Sequence, residues 1–260
     1  MIILIAFATF FSTLTGGLFA LRFKDKLHLV LGFSAGAVIA VAFFDLMPEA
    51  VDLGGRYFSD ASVTSIVALG FLAYLVLDRA IFLHSHAHAH DHEDGHGQEL
   101  SAQESRSMGR GILGAGSLSV HSFLDGVAIG LAFQVSAAIG AVVAVAVLTH
   151  DFSDGINTVN LILKNEGAQE DKPSFWRTKA FKWLLVDASA PVIGAGSTLF
   201  FALPEQALSV ILALFAGFFL YIGASDLVPE SHHAHPKFMT TAMTLLGAGV
   251  LYVAIHFANL

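Results

Sequence analysis

Eight apolar runs, each about 20 residues long, limit what this chain can fold into more tightly than any other feature. At about 1.5 Å per helical residue, one such run crosses a hydrocarbon layer of about 30 Å. They are Ile2–Leu21, His28–Ala50, Ser62–Leu83, Gly111–Phe133, Ala137–Leu163, Phe181–Ala202, Gln206–Asp226 and Phe238–Ala258. Little chain is left between them, so the sequence predicts an all-α, polytopic membrane protein in which residues 1–260 form a single transmembrane domain. With 13% charged residues the chain carries about half the charge of an ordinary soluble domain. A net charge of −8 leaves no basic surface for nucleic acid. The absence of cysteine excludes disulfides, thiolate metal sites and cysteine nucleophiles.

Lys and Arg accumulate on the cytoplasmic side of membrane proteins, which orients the bundle. The first run has no basic residue before it and no clear small-x-small cleavage site after it, so it reads as a retained helix with its N-terminus outside. Every Lys and Arg except Arg56 then falls on the cytoplasmic side, with both termini extracytoplasmic.

Two internal echoes follow. Asp45-Leu46-Met47-Pro48-Glu49 at the end of the second run recurs as Asp226-Leu227-Val228-Pro229-Glu230 at the end of the seventh. His121-Ser122-Phe123-Leu124-Asp125-Gly126 in the fourth recurs as His150-Asp151-Phe152-Ser153-Asp154-Gly155 in the fifth. Both echoes relate runs of opposite direction, as expected for inverted repeats in a 3+2+3 arrangement, a pattern found in transporters with a site at the repeat interface.

Positions i and i+4 share a helical face, so His121 with Asp125 and His150 with Asp154 each form an edge of two metal ligands near mid-membrane. Imidazole and carboxylate suit zinc, iron(II), manganese or cadmium alike. Ionisable groups gathered at one membrane depth are costly unless a cation, a proton or water compensates them. Such ligands bind when deprotonated, so binding is expected to weaken as pH falls. Asp151 flanks the same face, and Ser122 holds the equivalent place in the fourth run. Asp187 in the sixth run reads either as a second-site ligand or as a carboxylate near a helix start. Asp45, Glu49, Asp226 and Glu230 read as solvated helix-end carboxylates that at most line an entrance and an exit. His256 reads as a packing residue.

Residues 84–110 read as a flexible cytoplasmic loop, opened by His84, His86, His88, His90, His92 and His96 with interleaved carboxylates. A tract without apolar content cannot form a core and binds metal weakly at many points. His28, His232 and His233 lie on the same side, as a landing zone for an ion leaving the core. No lysine is followed by Ser or Thr, so no Walker A lysine drives the process.

On these motifs the chain resembles the Zrt-/Irt-like (ZIP) family of divalent-metal transporters over essentially its whole length. The resemblance implies import of zinc or a related metal (iron, manganese, cadmium) toward the cytoplasm by alternating access, as a homodimer. It implies that His121, Asp125, His150 and Asp154 are primary ligands, and that Ser122, Asp151 and Asp154 stand where a second, bridged metal binds. Many members have Asn at Ser122, Pro at Leu124 and Ser153, and Glu at Asp125 and Asp154. Some carry an acidic ligand at the place of Ala190, for which Asp187, one turn earlier, is the candidate substitute. A plasma (inner) membrane location fits so compact a chain.

Two other classes share these ligands. An intramembrane zinc hydrolase keeps three fixed ligands and an open position, which two symmetric His/Asp edges suit less well. An exporter differs only in direction. The sequence therefore favours a transporter over an enzyme; only the family resemblance favours import as its direction.

Overall fold

The structure, a computed structural model, describes residues 2–21, 27–87, 99–165, 178–233 and 238–258. The helices are α1 (Ile2–Ala20), α2 (Leu27–Val41), α3 (Met47–Gly54), α4 (Asp60–Ala87), α5 (Glu99–Val135), α6 (Ala137–Asn165), α7 (Lys179–Ser197), α8 (Glu205–Tyr221), α9 (Val228–His233) and α10 (Phe238–Ala258). They supply 8 spans long and apolar enough to cross a membrane, and no strand occurs among the described residues. In such a medium every backbone N–H and C=O must be satisfied within the chain, and helices do this locally.

Two spans are not continuous α-helix. Ala42–Leu46 joins α2 to α3 as a π turn, and Ile222–Leu227 joins α8 to α9 in the same way. The cause lies in the Asp-Leu-x-Pro-Glu echo. Pro48 and Pro229 have no N–H for the carbonyls four residues earlier, on Phe44 and Ser225, and each proline ring crowds that carbonyl. Both carbonyls fall inside the widened turns, which absorb the misfit. The helices therefore pass through the echo instead of ending there, reaching Gly54 and His233. The ends flanking the His-rich tract likewise differ from a loop over 84–110. Residues 84–87 complete α4 and 99–110 open α5, while 88–98 lie outside the described residues.

Glycine decides which helices pack most closely. A Cβ on Gly16 (α1) would meet the Phe152 carbonyl of α6, and one on Gly155 (α6) would meet that of Thr13 in α1. The same reciprocal clash joins Gly126 (α5) and Gly194 (α7) through the Pro191 and Phe123 carbonyls. Gly36 (α2) and Gly247 (α10) repeat it, as do Gly70 (α4) and Gly217 (α8). Small residues permit such backbone approach where lipid offers no hydrophobic drive for helix association. The crossings join the spans in four pairs, and packing of α5 on α6, α1 on α7 and α3 on α8 gathers the pairs into two groups. One holds α1, α5, α6 and α7; the other holds α2/α3, α4, α8/α9 and α10. Exchanging the first span with the sixth, second with seventh, third with eighth and fourth with fifth maps these crossings onto one another.

Between the groups the contact is mostly apolar: one buried cluster contains Val38 of α2, Phe219 of α8, and Val143 and Ala146 of α6. Hydrogen bonds that bridge the groups include Ser34 Oγ to the Thr149 carbonyl at 2.7 Å, with Ser153 Oγ 3.1 Å away. α6 is the central span, with 72% of its apolar window buried, against 17% for α4. Large side chains such as Leu4, Leu72 and Leu245 point outward, as lipid-facing positions require.

Candidate metal centre

Where α5 and α6 cross, both i,i+4 edges converge. His121, Asp125, His150 and Asp154 are all buried, and one ligand atom from each lies within 4.8 Å of every other. Asp125 Oδ2 is 3.1 Å from His121 Nε2 and 3.2 Å from His150 Nε2. His121 Nε2 is 3.6 Å from Asp154 Oδ2, which has no hydrogen-bond partner. Zinc bonds of about 2.0–2.2 Å place neighbouring donors of a tetrahedron about 3.3 Å apart. The close pairs already stand near that spacing, so a small divalent cation fits between the donors with little movement.

The orientation of His150 follows from its second nitrogen. Nδ1 is 3.0 Å from the Ala146 carbonyl, which can only accept, so Nδ1 carries the proton. In the neutral ring Nε2 then holds the lone pair, directed at the other donors, as metal-binding imidazoles require. His121 makes its second contact elsewhere, with the Tyr74 hydroxyl 3.0 Å from Nδ1.

Asp187 does not join the cluster of His121, Asp125, His150 and Asp154. It is the ninth residue of α7 and fully buried, which removes the reading as a carboxylate near a helix start. Ser122 donates to its Oδ1 at 2.8 Å and Thr158 to its Oδ2 at 2.7 Å. Ser122 is thereby occupied with Asp187. Asp151 is also fully buried and neither of its oxygens has a hydrogen-bond partner. Thr158→Val is expected to leave Asp187 half satisfied, at a cost of about 1–3 kcal/mol. A lowered unfolding temperature in detergent, with zinc stoichiometry unchanged, is the result to look for.

The outlying residues separate. Asp45 is buried in its π turn with Oδ2 unpartnered, which corrects the expectation of a solvated helix end. Packing against the other spans, after the helix runs on past Pro48, is the reason. Glu49 is half-buried, while Asp226 and Glu230 are exposed. His28 is half-buried at the start of α2, and His256 is exposed on α10. His84 and His86 lie on the last turns of α4, and His232 and His233 on α9, with side chains outside the description. His88, His90, His92 and His96 lie outside the described residues.

Sequence reasoning missed Tyr74, Asp78 and Thr158. A pocket lined by Tyr74, Asp78, Ser117, His121 and Leu124 runs beside the ligand cluster between α4 and α5. Asp78 accepts a hydrogen bond from the Tyr221 hydroxyl at 2.9 Å. Thr158 was detectable, since it follows Asp154 by four residues and shares its face.

Comparison with known proteins points one way. Residues 82–254 match the model of a family described as ZIP Zinc transporter. The chain is 24% identical over 242 residues to zinc transporter ZIP13 of Pongo abelii, covering 88% of this chain and 66% of that protein. Against zinc transporter ZupT of Corynebacterium efficiens, identity is 27% over 237 residues, covering 85% and 84%. Against zinc transporter ZIP6 of Homo sapiens it is 28% over 181 residues, covering 63% and 22%. The chain thus spans just under two thirds of ZIP13 and less than a quarter of ZIP6.

Proposed function

The chain belongs to the ZIP zinc transporter family, and from that premise we propose that it carries zinc or a related divalent metal across the membrane into the cytoplasm. The observation that carries this reading is the buried set of two imidazoles and two carboxylates at the centre of the bundle. A hydrated ion sheds water against His121, Asp125, His150 and Asp154, then leaves toward the pocket beside Asp78. The orientation from Lys and Arg puts that pocket on the cytoplasmic side of the site, because α4 ends and α5 begins there.

The packing suits alternating access. Glycine crossings tie the spans of each group in pairs and close helix packing joins the pairs, while apolar surface dominates between the groups, so the two can shift past each other as bodies around the site. The inverted 3+2+3 pairing supports this, since each group maps onto itself when the repeats are exchanged. Asp151, unpartnered next to His150, is the candidate for a second ion; Ser122 and Asp187, bonded to each other, would have to separate to join it. Asp45 and Glu49 line the outer approach, and Asp226, Glu230, His28, His232 and His233 the inner one. The histidines of 84–110 form a weak cytoplasmic metal-binding tract in an otherwise single membrane domain. A homodimer in the plasma membrane completes the reading.

Uptake of labelled zinc by cells expressing the chain tests both activity and direction. Accumulation should exceed that of cells without it, and unlabelled zinc, cadmium, iron(II) and manganese added in turn rank the metals by competition. Accumulation equal to that of control cells would remove the proposal; faster loss of preloaded zinc would reverse its direction.

A further inference from the structure

The two imidazoles of the ligand cluster are oriented by different bodies. His150 is fixed by the Ala146 carbonyl of its own helix, which travels with it. His121 is fixed by Tyr74, whose helix α4 belongs to the group that carries none of the four ligands. The Tyr74 hydroxyl lies 3.0 Å from His121 Nδ1, with the rings edge-on at 82°. Tyr74 is itself held firmly. Its ring packs on Phe218 and Tyr221 of α8 at centroid distances of 5.4 and 5.3 Å, and Tyr221 is tied back to Asp78 of α4.

A hydroxyl both donates and accepts, so it can serve the imidazole in the tautomer metal binding needs, with Nδ1–H donating to the tyrosine oxygen and the Nε2 lone pair free. Groups that orient a metal-binding histidine through its second nitrogen typically change affinity by about 10–100-fold when removed.

We propose that Tyr74 is a positioning residue for metal coordination, holding His121 with Nε2 toward Asp125 and Asp154. Because the hydroxyl belongs to the opposite group, the cluster is complete only while the groups bring Tyr74 and His121 together. A shift between them then loosens one ligand and lowers affinity at the point of transfer. The use of that change in transport rests on the proposed function; the effect on binding does not.

Purified wild type, Tyr74→Phe, Tyr221→Phe, His121→Ala and the Tyr74→Phe/His121→Ala double variant are titrated in detergent with cobalt(II), following its visible absorption, and then with zinc in competition. Tyr74→Phe keeps the ring and is expected to weaken zinc binding about 10–100-fold and to alter the cobalt spectrum. Tyr221→Phe should stay within about twofold of wild type, and in the His121→Ala background Tyr74→Phe should add less than about twofold. Tyr74→Phe within about twofold of wild type overturns the proposal. So does an equal loss in Tyr221→Phe, or an undiminished loss in the His121→Ala background, because either marks general packing. Wild type that binds with the expected Tyr74 dependence yet moves no zinc into vesicles would leave the positioning role standing and remove the transport reading.

Discussion

Asp125→Ala is expected to abolish zinc accumulation, lowering it on the order of 100-fold or more, to the level of cells without the protein. Asp125 is the donor that faces both imidazoles, at 3.1 and 3.2 Å, so its loss opens the cluster on both sides at once. What remains is two histidines and Asp154, which approaches an imidazole no nearer than 3.6 Å. Asp125→Asn separates shape from charge. It keeps the volume but puts a neutral amide in place of a carboxylate, so it should fail nearly as completely. His256→Ala, on the exposed face of α10, should accumulate zinc as wild type does. Measuring labelled zinc against the amount of each variant in the membrane checks all three. Substantial uptake by Asp125→Ala would mean that the ion does not pass through the cluster.

The second large effect concerns packing. Gly126→Ala or Gly155→Ala would drive a methyl group into the Pro191 or Thr13 carbonyl of the neighbouring helix. A backbone cannot rotate out of the way as a side chain can, so the whole crossing must open. Overpacking against movable side chains costs about 1–3 kcal/mol, and these two replacements should exceed that range. Gly196→Ala and Gly249→Ala provide matched comparisons. An added Cβ there meets nothing within 4 Å, and alanine favours the helix over glycine by up to about 1 kcal/mol. Unfolding temperatures in detergent should therefore fall sharply for the first pair and hold or rise for the second. Gly126→Ala as stable as Gly196→Ala would mean the α5–α7 crossing tolerates separation.

What could be read from the sequence divides along physical lines. The spans were legible because an apolar run of about 20 residues has few alternatives to a membrane helix. The two His/Asp edges were legible because His121–Asp125 and His150–Asp154 repeat a spacing that helical geometry places on one face. Their convergence was only implied, since the echo says nothing about which faces meet. Tyr74 escaped notice because its bond to His121 joins residues 47 apart in sequence, set by how α4 lies against α5 and not by any local pattern. The partners of Asp187 were hidden for the same reason, being hydroxyls on two other spans. Asp45 misled because proline is usually read as a helix breaker. In the structure the π turn carries the helix through, and the carboxylate is buried.

Those turns also alter how each interrupted span can vary. One extra residue in a helix rotates everything beyond it by about 100° around the axis. Each π turn is therefore a phase boundary, on whose two sides the helical faces are indexed separately. α2 can keep its seam against α10 while α3 aims Glu49 independently, and α8 and α9 divide their duties in the same way. Deleting one residue within either turn would let the widened turn tighten to α-helix, leaving the terminal half-helix and its glutamate on the same face but pressing the proline ring against an α-helical carbonyl, a cost the π turn now avoids.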